Sequence, residues 1–75
     1  MNDNDIIGIC YWDDDTGRHY GVRGIGPKYD HFYIWIKYTS ARFTSNDWPW
    51  DYFVFDEPSD HDRLLREFPG DVYED

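Results

Sequence analysis

The sequence predicts one small α+β domain over residues 1–75, built from an antiparallel sheet of about four to five strands and one short C-terminal helix. Two observations predict this fold. Short β-branched and aromatic runs alternate with Gly, Pro and Asp turns from Ile6 to Asp56, and one amphipathic stripe follows Pro58. Hydrophobic residues make up 40% of the chain, enough for one packed core.

The first two strands are predicted to form a hairpin. Ile6–Trp12 is β-branched and aromatic, and Arg18–Arg23 provides the returning strand. Asp13–Gly17 lies between them, and its Asp and Gly residues are typical of hairpin turns. Gly24–Pro27 then ends the second strand, because two glycines and a proline do not continue a central strand.

The segment Asp30–Thr39 is the clearest strand candidate, because it is apolar and aromatic and carries no breaker. Alternation assigns one face to Phe32, Ile34, Ile36 and Tyr38, and the other to Tyr33, Trp35 and Lys37. We expect the first face to form the core, with the C-terminal helix packed on it. Tyr33 and Trp35 are then expected on the side away from the helix.

The remaining chain predicts further strands and the helix. A short strand is expected around residues 42–44 and another at Trp50–Asp56. Ser59 is a suitable helix N-cap, and Pro69–Gly70 ends the helix. The inward stripe is expected to consist of His61, Leu64, Leu65 and Phe68. Both acidic termini are expected to fray, although Val72 and Tyr73 could pack back onto the sheet.

The net charge of −9 limits the classes of partner. Binding to DNA or RNA is disfavoured, because it requires Lys and Arg side chains that neutralise phosphates. An anionic membrane surface is disfavoured for the same reason. A basic protein surface is favoured, because long-range attraction speeds the encounter. The alternative interpretation is that the charge only keeps an aromatic-rich protein in solution.

No motif predicts an enzyme, a metal site or a cofactor. After Asp13, the positions that an EF-hand reserves for its Gly and its last Glu do not match, because Gly17 comes one position early and Gly24 replaces the Glu. The single cysteine and the three scattered histidines lack the paired spacing of zinc ligands. The glycines of residues 21–26 do not follow the dinucleotide-binding order.

The N-terminus has neither the basic nor the long apolar region of a signal peptide, and Cys10 has no cysteine with which to form an internal disulfide. The longest hydrophobic run, Phe32–Ile36, is too short to span a bilayer. We therefore expect a cytoplasmic protein.

Aromatic residues make up 21% of the chain, more than one small core with one helix is expected to bury. Trp, Tyr and Arg are enriched at binding hot spots. The alternative for Trp48 and Trp50 is that they hold a loop against the sheet. The candidate partner-binding residues combine the exposed aromatics with the clustered acids: Asp13, Asp14, Asp15, Tyr33, Trp35, Asp47, Trp48, Trp50, Asp51, Asp56 and Glu57.

This combination resembles the small acidic phage-encoded inhibitors of host defence, such as anti-CRISPR proteins and other DNA mimics. The resemblance covers overall character across the whole chain and rests on the charge, on Asp13–Asp15, on the stretch Asp47–Glu57 and on Asp60 with Asp62. It implies a non-enzymatic inhibitor, acting in the host cytoplasm, whose carboxylates occupy the basic nucleic-acid channel of a partner such as a CRISPR effector. The dispersed arginines depart from the uniformly acidic surface of a DNA mimic.

Two other classes stay open on the sequence. An immunity protein that neutralises a nuclease toxin would also be small, acidic and aromatic, because the site of the toxin is basic. A small adaptor would instead bind a protein through its aromatic sheet face. The sequence is compatible with a monomer or a homodimer, and a second copy is one candidate to cover Tyr33 and Trp35.

Overall fold

The computed structural model describes residues 4–75 and confirms the α+β class. The elements are β1 (Ile6–Asp14), β2 (Gly17–Ile25), α1 (Pro27–Trp35) with a 3-10 turn (Ile36–Tyr38), β3 (Ala41–Asp47), β4 (Trp50–Phe55), α2 (Ser59–Glu67) and β5 (Val72–Glu74). Residues 1–3 of the predicted frayed N-terminus lie outside this description. None of the described helices has the length and apolar character needed to cross a membrane.

The described strands form one sheet in the order β3-β4-β2-β1-β5. All neighbours are antiparallel except β1 and β5, which pair in parallel. The β1–β2 hairpin is longer than predicted, because pairing extends to Asp14 opposite Gly17 and leaves a two-residue turn. Gly17 has a φ of 118°, a backbone conformation that residues other than glycine rarely adopt. The tail that was expected to be loose forms β5 beside Ile9–Tyr11.

The predicted strand at Asp30–Thr39 is wrong, because this segment contains α1 and the 3-10 turn. Pro27 occupies the first helical position, where its fixed φ suits a helix and its missing N–H is not needed. Gly26 precedes it at φ 91, and a Cβ there would collide with the carbonyl oxygen of Asn4. In the helix Phe32 and Ile36 share the buried face, whereas Ile34 is 59% exposed.

Both helices contribute to one core on the same side of the sheet. Its buried side chains are Ile7, Ile9, Tyr20, Val22 and Phe53 from the strands and Phe32, Ile36, Leu64 and Phe68 from the helical segments and their ends. The predicted stripe of α2 is confirmed for Leu64 and Phe68, but Leu65 is 41% exposed. The helix begins at Ser59 itself, so Ser59 is not its N-cap.

A buried carboxylate that the sequence analysis missed ties α2 to the start of β3. Asp60 accepts hydrogen bonds from the Ser40 backbone N–H at 2.8 Å and from the Ser40 hydroxyl at 2.6 Å. Arg63 Nη1 donates to the other carboxylate oxygen at 2.7 Å. Burial alone would raise the pKa of Asp60, but these donors outweigh burial and hold the pKa below its usual value. Asp60 is therefore a structural acid and is not available to a partner.

Candidate functional site

The sheet face opposite the helices carries a concave surface. The pleat places on this side the β1 and β2 residues that alternate with the buried core positions. We call this surface the open face; its central residues are Cys10, Trp12, His19, Gly21, Arg23, Trp50, Tyr52 and Tyr73. Both helices pack on the other side of the sheet, so no helix of the described residues covers the open face.

Aromatic rings from neighbouring strands contact one another across the open face. The Trp12 ring stacks on the His19 ring with centroids 5.7 Å apart and meets the Tyr52 ring edge-on at 5.9 Å. The guanidinium carbon of Arg23 lies 5.3 Å from the centroid of the Trp50 ring. Such contacts orient the rings and leave part of each ring surface accessible, because all of these aromatic side chains are only half-buried.

A glycine lets two of these rings approach the sheet backbone closely. A Cβ at Gly21 would lie 3.1 Å from Cε1 of Tyr52 and 3.3 Å from Cε3 of Trp50. A side chain at this position would therefore require both rings to shift by a few tenths of an ångström. The surface becomes a groove of about 790 Å³, which Thr44, Ser45 and Asp75 also line.

The groove has a thiol in its floor and a carboxylate at its margin. Cys10 is buried, and burial together with the negative charge of Asp75 raises the pKa of its thiol, so the thiol stays neutral near pH 7. At one end of the face Asp14 accepts a hydrogen bond from the Thr16 hydroxyl at 2.6 Å and lies 3.2 Å from Nε2 of His19. The Thr16 hydrogen bonds lower the pKa of Asp14, which therefore stays ionised.

The three acids predicted at the β1–β2 turn have different environments. Asp13 accepts two hydrogen bonds from Arg18, at 2.8 Å and 3.0 Å, and this pairing lowers its pKa. Asp14 is held by Thr16 as described above. Asp15 is exposed in the turn, and the described part of the chain offers its side chain no hydrogen-bond or ion-pair partner. Of the three, Asp15 is thus the carboxylate with all its oxygens open to a partner.

The predicted acids after β4 lie at the same end of the sheet as this turn. Because β4 is antiparallel to β2, the end of β4 lies beside the start of β2. Asp56 pairs with Arg42 at 2.9 Å, whereas the side chain of Glu57 is exposed and has no partner within residues 4–75. The fold therefore brings Asp13–Asp15 and Asp56–Glu57 to one end, which we call the acidic end.

Two predicted acids lie elsewhere. Asp47 is exposed at the opposite end of the sheet, where it pairs with Trp50 in the ladder. Asp51 lies on the helix side and accepts hydrogen bonds from the hydroxyl groups of Tyr33 and Tyr29. Burial and the Asp51 carboxylate both raise the pKa of Tyr33, which remains protonated. Asp51 is thus occupied inside the protein.

The aromatic residues predicted to bind a partner also lie in different parts of the structure. Tyr33 and Trp35 were expected on an uncovered sheet face, but both lie on α1, half-buried against the core. Trp35 meets the Phe68 ring edge-on at 5.5 Å. Trp48 is 92% exposed in the β3–β4 turn, and only Trp50 of the predicted aromatics lies on the open face.

The sequence analysis did not select Trp12, Tyr52 or Tyr73. Trp12 had a usable signal, because strict alternation along β1 puts it opposite the buried Ile7 and Ile9. Tyr73 had no such signal in the sequence, since its position depends on the tail pairing with β1.

Comparisons of the chain with protein-family models, with curated proteins and with solved structures found no match.

Proposed function

We propose that this protein is a non-enzymatic inhibitor that occupies the basic nucleic-acid-binding surface of a partner protein and blocks the binding of DNA or RNA there. The observation that carries the proposal is the acidic end. Two acidic segments that are far apart in the sequence, Asp13–Asp15 and Asp56–Glu57, lie at one end of the sheet in a chain with a net charge of −9. Effectors of host defence, named by the resemblance, are one class of such partners.

The internal ion pairs support this proposal by fixing the shape of the acidic end. Arg18 holds Asp13 with two parallel hydrogen bonds, and Arg42 holds Asp56 in the same region. These pairs hold the two segments that carry the neighbouring unpaired acids, which reduces the conformational entropy that the segments lose on binding. Asp15 and Glu57 remain unpaired and are the residues that would meet the arginines or lysines of the partner.

If charge attraction guides the encounter, the association rate should depend on salt concentration. Opposite net charges accelerate association, and salt screens this attraction, with a Debye length of about 10 Å at 0.1 M and about 3 Å at 1 M. The association rate with the partner should therefore fall steeply as salt rises, while the dissociation rate changes less.

The test is capture from a lysate of an organism that carries the gene, followed by competition. Immobilised wild type is compared with the double variant Asp15→Asn/Glu57→Gln, and Asp30→Asn in the first turn of α1, outside both the acidic end and the open face, is the matched control. We expect the wild type to capture a protein that double-stranded DNA or RNA displaces. The double variant should capture this protein at least about tenfold less well. A captured protein that binds nucleic acid and this chain together would refute the proposal, as would equal capture by all variants.

A further inference from the structure

The open face has properties that the acidic end does not explain. Its groove of about 790 Å³ falls in the size range of ligand sites, roughly 300–1,000 Å³, and aromatic rings dominate its lining. Trp12 and Tyr73 come from the two strands at one side, and Trp50 and Tyr52 come from β4. Aromatic rings exposed together on a protein of this size mark an interaction site.

The charges around these rings favour a cation. Asp14, Asp47 and Asp75 lie at the margins of the open face, because each shares its strand side with the aromatic residues. Arg23 contributes a positive charge to this face and is already stacked on Trp50. Arg42 lies at its corner, where it pairs with Asp56. The surface therefore combines ring faces with a surplus of carboxylates, the combination that attracts an organic cation.

The chain itself shows which cation suits its rings. Arginine stacks on an aromatic ring three times within the described residues, over Tyr11 at 4.9 Å, Trp50 at 5.3 Å and Trp35 at 5.9 Å. A guanidinium group is flat and weakly hydrated, so it stacks on a ring and still donates hydrogen bonds in its own plane to a carboxylate. An ammonium group is compact and strongly hydrated, and it does not make both contacts in this way.

We propose that the open face is a binding site for an arginine side chain of the basic partner, with its guanidinium stacked on the Trp12 ring, in contact with Tyr52, and paired with Asp75. This inference rests on the proposed function for the source of the arginine. It assigns to the partner two separate contacts: basic groups at the acidic end and one inserted arginine on the open face. A second copy of this chain is disfavoured as the occupant, because each copy carries a net charge of −9.

The test measures arginine preference with two peptides of equal charge. One peptide contains two arginines separated by glycines, and the other has lysines at the same positions. Titrations followed by isothermal calorimetry and by the indole N–H signals in NMR use the wild type at low salt. We expect the arginine peptide to bind at least about fivefold tighter and to shift the Trp12 and Trp50 signals, while the Trp48 signal stays unchanged.

Matched variants separate the two contacts. Trp12→Leu and Asp75→Asn should reduce the preference for the arginine peptide to near unity, whereas Trp48→Leu, which removes the 92% exposed indole outside the groove, should leave it unchanged. Asp15→Asn/Glu57→Gln should weaken both peptides equally and keep the preference. Circular dichroism establishes that each variant is folded, and the shifts of the wild-type indole signals test the site without any substitution.

The outcomes distinguish this inference from the proposed function. Equal affinity for the two peptides, or shifts confined to Trp48, would overturn the arginine site even if a nucleic-acid-binding partner is captured. An arginine preference that depends on Trp12, without a captured partner that DNA or RNA displaces, would uphold the site and refute the proposed function. Sedimentation that shows a wild-type dimer, and a monomer for Trp12→Leu, would assign the open face to a second copy and overturn the inference.

Discussion

Two isoleucines in α1 and its 3-10 extension provide a sharp test of the fold. Ile34 and Ile36 are two residues apart, so in a strand they would share a face and lose similar stability when replaced by alanine. In the helical structure Ile36 is 5% exposed and belongs to the core, whereas Ile34 is 59% exposed. We therefore expect the same substitution to have very different effects at the two positions.

The magnitudes follow from burial. Ile36→Ala removes buried methyl groups and leaves a cavity beside the core, which costs about 2–5 kcal/mol. Ile34 buries only about 40% of a side chain whose full burial is worth roughly 1.5–3 kcal/mol, and alanine recovers a few tenths through helix propensity, so its loss should stay below about 1 kcal/mol. A domain of 75 residues has a free energy of unfolding of about 4–11 kcal/mol, so Ile36→Ala should remove a large part of it.

Urea unfolding followed by circular dichroism and Trp fluorescence measures both free energies of unfolding. The denaturant dependence of the free energy should be equal for wild type and variants, because the same surface is exposed on unfolding. A difference between the variants below about 0.5 kcal/mol, with both losses above about 2 kcal/mol, would indicate that the two side chains share a buried face and would refute the helix.

Two further predictions concern α1 and the helix that packs beside it. Trp35→Ala should lower the free energy of unfolding by about 2–4 kcal/mol, because Trp35 packs on Phe68 in the core margin; a loss below about 0.5 kcal/mol in urea unfolding would contradict this packing. Nδ1 of His61 and the Tyr20 hydroxyl oxygen are hydrogen-bonded at 2.8 Å, and burial together with the nearby Arg18 lowers the pKa of His61. Because the pKa of His61 is lower in the folded than in the unfolded state, its contribution to the free energy of unfolding is fully present above the unfolded-state pKa of about 6.5. This contribution is lost as the pH falls towards the folded-state pKa. Stability should therefore decrease from pH 7.5 to 5.5 more in the wild type than in His61→Asn, and equal slopes would show that His61 does not titrate in this way.

Local signals were sufficient for β1, β2, β4 and α2, whose predicted and observed bounds differ by a few residues at most. They failed for α1, because Asp30–Thr39 is apolar at nearly every position and such a run fits a strand or a buried helix equally well. Pro27 and Asp30 were the signals that favoured a helix start. The prediction gave more weight to the strand-like alternation than to these helix-start signals. In the structure, Phe32 and Ile36 pack in the core from a helical segment.

The acidic residues show a different limit of sequence reasoning. The prediction assigned Asp13–Gly17 to a solvated hairpin turn, in which all three acids point to solvent. The observed turn contains only two residues, so Asp13 lies opposite Arg18 in the ladder and forms an ion pair. One change in hairpin register therefore decides whether a carboxylate is available to a partner, and register is set by the turn and by burial of one face.

The open face depends on contacts that are distant in sequence, and this explains why the prediction placed the exposed aromatics elsewhere. Trp50 was selected, but its neighbours in space, Trp12 and Tyr73, come from near the two ends of the chain. They line one groove because β5 pairs in parallel with β1 and because Gly21 has no side chain beside Tyr52 and Trp50. An alanine at Gly21 would come within 3.1 Å of the Tyr52 ring and 3.3 Å of the Trp50 ring, so both rings would have to shift and the groove of the proposed arginine site would change shape.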